Sequence, residues 1–212
     1  SVMQIASTVR ETADTAQSLA SLSSEASSGA AEGAFAAVLD FAPQEVANHL
    51  FGSALSAGAD RMTNAGAKGI PQMVSIGCYD LIDFVGWHTL PDRFRDTPAH
   101  AHNRLLTSIV QTPDERRELA RTFCTKLAGA KGPVTFLLPI QGGNEWDRAG
   151  GPLEDAEGLA AFCDGMRKAC LSNVAPVELD AHINDSAFTD TVLAQFDDWP
   201  SRGVVRKQRS AP

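Results

Sequence analysis

Three polar loops carry the residues of this chain whose types and spacing could do chemistry. Each loop follows a short apolar segment typical of a buried strand: one runs from Gly77 to Asp83, one is glycine-rich over residues 141–152, and one is His182–Asp185. Glycine amides bind anions, and carboxylates or imidazoles can act as acids or bases. The candidate ligand-binding residues are Gly77, Asp80, Gly142, Gly143, Asn144, Asp147, His182 and Asn184.

Ordinary turn chemistry would explain any one of these loops, because Gly, Asn and Asp dominate turns and helix caps. Three such loops at one predicted sheet edge favour a ligand pocket. Asp185 is predicted to cap the final helix. His182 and Asn184 are predicted to face Asp80 or the Gly142–Gly143 turn.

A metal site is the second kind of chemistry that the spacing suggests. His100 and His102 are separated by one residue, so an extended backbone places both imidazoles on the same side. A carboxylate such as Asp80 or Asp83 could supply a third ligand. Hydrogen bonding within the loop is the alternative role for these histidines.

The four cysteines contain no C-x-x-C pair. Cys78 lies at the predicted sheet edge and could be a nucleophile, but no histidine adjoins it in sequence, which favours a buried or half-buried bystander. The other three fall in apolar helical patterns and are predicted to be core thiols. This usage suits a reducing, cytoplasmic location. The three predicted core thiols are Cys124, Cys163 and Cys170.

The elements that must position these residues alternate between strands and helices, which is typical of a parallel sheet. We predict a doubly wound, mainly parallel α/β sheet with helices on both faces. The direction of the strand at 105–110 stays open, and residues 78–103 contain no clear strand. Predicted strands span 35–41, 72–76, 105–110, 134–138 and 177–179, and predicted helices span 43–51, 60–65, 112–129, 154–171 and the segment after Asp185.

Composition bounds the domains and the partners. A Ser/Ala-rich lead-in over residues 1–34 is predicted to be partly helical or disordered, residues 35–199 form the α/β domain, and residues 200–212 are a basic tail. The net charge of −8 disfavours nucleic acid and anionic membranes as partners. No apolar stretch reaches the ~20 residues of a membrane span.

The chain resembles a family of ATP-binding proteins typified by the plant tomato mosaic virus resistance protein. The likeness covers about residues 35–199. Family members resemble two consecutive α/β subdomains, and this chain is similar to the second only. The stretches that carry the resemblance are 56–61, 69–84, His102-Asn103, Thr112-Pro-Asp-Glu115, 132–139 and His182-Ile-Asn-Asp185.

This resemblance implies a domain that binds a small molecule, a nucleotide or a phosphorylated metabolite, with ATP and magnesium as the implied ligands. One alternative is a metal-dependent or acid/base-dependent metabolic enzyme, in which Asp80, His102, Asp147 and His182 converge at the strand ends. The other is a partial protein that acts through association, as a homo-oligomer or with a missing N-terminal subdomain.

Overall fold

Two sheets organise the computed structural model, which describes residues 36–205 apart from positions 88, 98, 171 and 175. The predicted lead-in of residues 1–34 and the tail beyond residue 205 lie outside the described residues. The described strands are β1 (Val38–Asp40), β2 (Gln72–Val74), β3 (Leu81–Val85), β4 (Ala99–Ala101), β5 (Leu106–Val110), β6 (Val134–Pro139) and β7 (Pro176–Leu179).

Helices lie on both faces of the main sheet, whose four parallel strands run in the order β1-β2-β6-β7. Val74 and Phe136 share one core with the helical layer, and Met73 and Leu137 point to the opposite face. The predicted α/β fold is therefore confirmed. The described helices are α1 (Gln44–Leu50), α2 (Asn64–Ala67), α3 (Pro113–Ala128), α4 (Ala156–Ala169) and α5 (Ser186–Asp198).

Helix α3 begins as its sequence predicts. The Thr112 side chain accepts a hydrogen bond from the Glu115 amide at 3.3 Å, and the Glu115 carboxylate accepts one from the Thr112 amide at 2.9 Å. Pro113 occupies the first turn, where its missing N–H costs nothing. This reciprocal cap fixes where the helix begins and so places Arg116 one turn inside it.

A second, antiparallel sheet with the order β3-β5-β4 overturns the expectation that residues 78–103 lack a strand. That segment supplies β3 and β4, and the strand predicted at 105–110 pairs antiparallel with both. The sequence pattern does not indicate β3, because Asp83 places a carboxylate in the middle of this buried strand. Its two oxygens accept hydrogen bonds from Ser108 at 2.6 Å and Gln44 at 2.8 Å.

The cysteines also differ from the prediction. Cys124 and Cys170 form a disulfide that joins α3 to the residue after α4, whereas Cys163 is a buried free thiol, as predicted, and Cys78 is also free. The disulfide removes the cysteine argument for a reducing compartment. None of the helices in the described ranges is long and apolar enough to cross a membrane.

Candidate functional site

The three predicted loops meet at the carboxyl ends of the parallel strands. The Gly77 amide donates to the carbonyl of Phe41 at 2.7 Å, and the Cys78 amide donates to the carbonyl of Gly143 at 3.0 Å. The Ile183 amide donates to the carbonyl of Gly142 at 3.1 Å. These backbone bonds join neighbouring strand ends into one continuous polar edge.

Close approach explains the glycines of this edge. Gly142 has a φ of 126°, and a Cβ atom there would lie 2.5 Å from Asp147 Oδ1 and 2.7 Å from His182 Cδ2. A Cβ atom on Gly77 would collide with the carbonyl oxygen of Phe41. Only glycine lets the loops pack this tightly.

The glycine-rich loop folds around its own carboxylate. Asp147 Oδ2 accepts from the Gly143 amide at 2.8 Å, and Asp147 Oδ1 accepts from the Asn144 amide at 3.1 Å. The two amides that could have bound a ligand's phosphate therefore hold Asp147 instead. Asp147 serves as an internal anchor for the loop.

His182 is a buried, neutral imidazole. Its Nδ1 accepts a hydrogen bond from the Asn184 amide at 3.1 Å, so the proton lies on Nε2. Nε2 then donates to the carbonyl of Asn144 at 2.8 Å, with Asp147 Oδ1 at 3.1 Å. His182 thus faces the Gly142–Gly143 turn, as the sequence predicts, but both of its nitrogens are engaged within the protein.

Asp185 occupies the N-cap position of α5 without capping it. Its side chain makes no capping bond to the helix and accepts instead from the His182 amide at 2.9 Å and from Arg148 Nη1 at 3.0 Å. These bonds lower the pKa of Asp185. The predicted side-chain cap is therefore wrong, because the loop amide and the guanidinium take the carboxylate.

Asp80 is fully buried below the edge and supports it from inside. Its Oδ1 accepts from Asn144 Nδ2 at 2.8 Å, and its Oδ2 has no hydrogen-bond partner within the described residues. Burial raises the pKa of Asp80 to about 6, against the opposing effect of Arg116, whose Nη2 lies 4.0 Å from Oδ2.

Arg116 is the site residue that sequence reasoning missed. It is only 1% exposed, and it donates to Tyr79 Oη at 3.1 Å and to Asp155 Oδ2 at 2.9 Å. A charged residue in a helix usually faces solvent, so its burial was not expected. The available signal is its spacing, because Arg116 shares the face of Leu119 and Phe123.

A cleft of about 450 Å³ opens beside this edge. Its apolar wall comes mainly from the residues that follow β1 and from α5, and most of its polar groups come from the predicted loops. Four of the predicted ligand-binding residues line it. The lining residues are Phe41, Ala42, Gly77, Cys78, Gly143, Asn144, Glu145, Ile183, Asn184, Phe188, Thr189 and Val192.

The remaining predicted residues stand behind the cleft wall. Asp80 and Gly142 do not line it, and Asp147 and His182 border a separate pocket of about 290 Å³. The cleft's own carboxylate is Glu145, which accepts from Asn184 at 3.0 Å and from Arg148 at 3.1 Å. These hydrogen bonds lower its pKa, so Glu145 is ionised at neutral pH.

Cys78 lines the cleft as a protonated thiol. Burial raises its pKa to about 11, so little thiolate is present at neutral pH. Its backbone has a φ of 51°, which is rare for a residue with a side chain. Of the two predicted roles, the structure favours the bystander.

The two histidines of the predicted metal site pack against Trp146. The ring centroids of His100 and His102 lie 4.6 Å and 4.9 Å from that of Trp146. Across the positions that the structure describes, no group of three or more His, Cys, Asp or Glu side chains could hold a metal ion. The described residues therefore give this pair no third ligand.

Comparison with known proteins places the chain among bacterial and plant relatives. The family described as "Uncharacterised protein family (UPF0261) C-terminal domain" matches residues 27–200. UPF0261 proteins of Brucella melitensis and Brucella suis are 48% and 47% identical over 178 residues, which are 84% of this chain and 43% of each relative. The chain therefore spans about two-fifths of their length.

A plant protein shows the same likeness at greater distance. The ToMV resistance protein Tm-1(GCR237) of Solanum lycopersicum is 27% identical over 165 residues, which are 75% of this chain and 21% of the tomato protein. The likeness to the tomato mosaic virus resistance protein that the sequence motifs indicate is thus found over most of this chain.

Proposed function

This chain belongs to the family of UPF0261 C-terminal domains, and we propose that it binds a small-molecule ligand, a nucleotide or phosphorylated metabolite, in the cleft beside α5. The cleft itself carries this proposal. It lies at the carboxyl ends of parallel strands, where open α/β sheets bind their ligands, and its volume of about 450 Å³ suits a small organic molecule.

The chemistry of the lining divides the ligand into two parts. Phe41, Phe188 and Val192 offer an apolar wall against which a flat ring can pack. Asn184 and Thr189 present a carboxamide and a hydroxyl on the polar side. A ligand with an aromatic ring and several hydrogen-bonding groups, such as a nucleoside moiety, satisfies both sides.

The phosphates of a nucleotide would meet an unusual environment here. Among the described residues that line the cleft there is no lysine or arginine, and Glu145 is ionised. The partial positive charge at the start of α5 would suit an anion, but the carboxylate of Asp185, whose pKa is lowered, lies at the same helix end. We therefore expect the affinity for ATP to depend on magnesium, which would offset the repulsion between the phosphates and Glu145.

Isothermal titration tests this proposal with ATP, ATP plus magnesium, and adenosine. Saturable heat with ATP and magnesium is expected, with a weaker response to ATP alone. Thr189→Phe should abolish the response because it fills the cleft, whereas Ala194→Phe adds the same side chain to an exposed part of α5 and should leave it intact. Absence of heat with all three ligands would contradict the proposal.

A second candidate function is association, which a specific surface favours. Leu193 and Phe196 of α5 are 53% and 40% exposed. Leu39 and Val177, on edge strands of the main sheet, pair in register with Met73 and Leu137 and therefore share the α5 face. Half-exposed apolar side chains on one face suit contact with a second copy or with an N-terminal subdomain.

A further inference from the structure

A groove between α3 and α4 carries a cluster of charges that the cleft does not use. Its volume is about 270 Å³. The described residues that line it are all different from those that line the cleft, so the two concavities are separate. The groove is lined by Arg117 and Arg121 of α3 and by Asp164, Gly165, Lys168 and Ala169 of α4.

Small residues let the two helices approach closely at this point. A Cβ atom on Gly165 would lie 2.8 Å from the Cβ atom of Ala120, so no larger residue fits there without movement. Gly165 and Ala169 also leave space above the contact. The long basic side chains on either side can therefore surround a small ligand.

The groove has an excess of positive charge. Asp164 accepts from Arg167 at 2.7 Å, and Arg117 donates to Asp114 at 2.6 Å. Within the described ranges, Arg121 and Lys168 have neither an ion pair nor a hydrogen-bond partner. Two uncompensated cations thus share one concavity in a chain whose net charge is −8.

We propose that this groove binds the phosphate group of a small molecule. A guanidinium donates two parallel hydrogen bonds to phosphate oxygens, and an ammonium adds a point charge, so Arg121 and Lys168 match this ligand. The volume is below the 300–1,000 Å³ usual for whole ligands. The groove therefore accepts the phosphate while the rest of the molecule lies outside.

Thermal unfolding in inorganic phosphate tests the proposal, with ionic strength held constant by potassium chloride. The melting temperature of the wild type should rise with phosphate concentration, and the rise should correspond to a dissociation constant on the order of 1 mM. The double variant Arg121→Gln/Lys168→Gln should bind at least about tenfold more weakly, since it removes both uncompensated charges. Arg104→Gln, a change at an exposed arginine in the loop between β4 and β5, should respond like the wild type.

Two further outcomes decide the proposal. Equal gains in all three proteins, or no gain in the wild type at about ten times that concentration, would overturn it. Thr189→Phe separates the groove from the cleft, because it blocks only the cleft and should leave the phosphate response intact. Loss of the response in Thr189→Phe would assign the phosphate to the cleft and reject the groove.

Discussion

His182 stabilises the polar edge through both nitrogens of its ring. One accepts from the Asn184 amide and the other donates toward Asn144 and Asp147. His182→Ala should therefore lower the free energy of unfolding by about 2–3 kcal/mol, because it leaves buried polar groups without partners and opens a cavity. Chemical denaturation measures this change.

His49→Ala is the matched control for that prediction. His49 is exposed on α1, and its imidazole forms a hydrogen bond with Ser56 Oγ at 3.0 Å, so its removal should change stability by less than about 0.5 kcal/mol. If His182→Ala instead unfolds like the wild type and loses ligand binding, the imidazole contacts ligand and its structural role is wrong.

Asp80 gives the protein a specific dependence of stability on pH. Burial raises its folded-state pKa from 3.8 to about 6, so the folded protein keeps this proton to higher pH than the unfolded chain does. The stability that Asp80 contributes is therefore complete below about pH 4 and is lost as pH rises through 6. The loss amounts to about 3 kcal/mol.

Comparison with Asp80→Asn isolates this contribution from the other carboxylates. Between about pH 4 and pH 7, the free energy of unfolding of Asp80→Asn should rise relative to the wild type by about 3 kcal/mol. Asp114→Asn, whose side chain is 92% exposed, should run parallel to the wild type. A constant difference between Asp80→Asn and wild type would show that Asp80 titrates normally.

At the scale of secondary-structure elements, the sequence patterns predicted the strands that are continuously apolar and the helices that begin with a capping signal. β6 and α3 match their predictions within a residue or two, because a continuous apolar run and a capping box are local signals. β3 was missed because Asp83 interrupts its apolar pattern. Its carboxylate is satisfied by Ser108 and Gln44, which are distant in sequence, so no local pattern reports it.

The disulfide joins Cys124 of α3 to Cys170 just after α4, and the two cysteines are 46 residues apart in sequence. Loop-closure entropy predicts that it stabilises the fold by about 4 kcal/mol at most. Cys124→Ser/Cys170→Ser should accordingly melt at lower temperature. Titration of thiols in denaturant should find two per unreduced chain, Cys78 and Cys163, and four would show that the pair is reduced.

At the scale of the molecule, the half-exposed face beside α5 predicts association. Light scattering at rising protein concentration should give a mass above that of one chain. Leu193→Gln/Phe196→Gln should return it to one chain, because both exposed apolar side chains are removed from α5. A single-chain mass for the wild type at all concentrations would contradict self-association.

The candidate site shows which parts of a function a sequence can predict. The alternation of strands and helices predicted that Gly77, Gly143 and Asn184 would share one edge of the sheet. It did not predict which residues line the cleft, since the tight loop geometry turns Asp147 and His182 inward. The buried charge of Arg116 depends on Asp80 and Asp155, which only the folded chain brings together.

Protection of Cys78 from alkylation tests the central claim most directly, because this thiol lines the cleft and Cys163 is a buried internal reference. The alkylation of Cys78 will need mildly alkaline pH, since the pKa of its thiol is about 11. We predict that ATP with magnesium slows the labelling of Cys78 in proportion to occupancy and leaves Cys163 unchanged, as read by mass spectrometry. Unchanged labelling of Cys78 while titration shows ATP bound would place the ligand elsewhere and contradict the account.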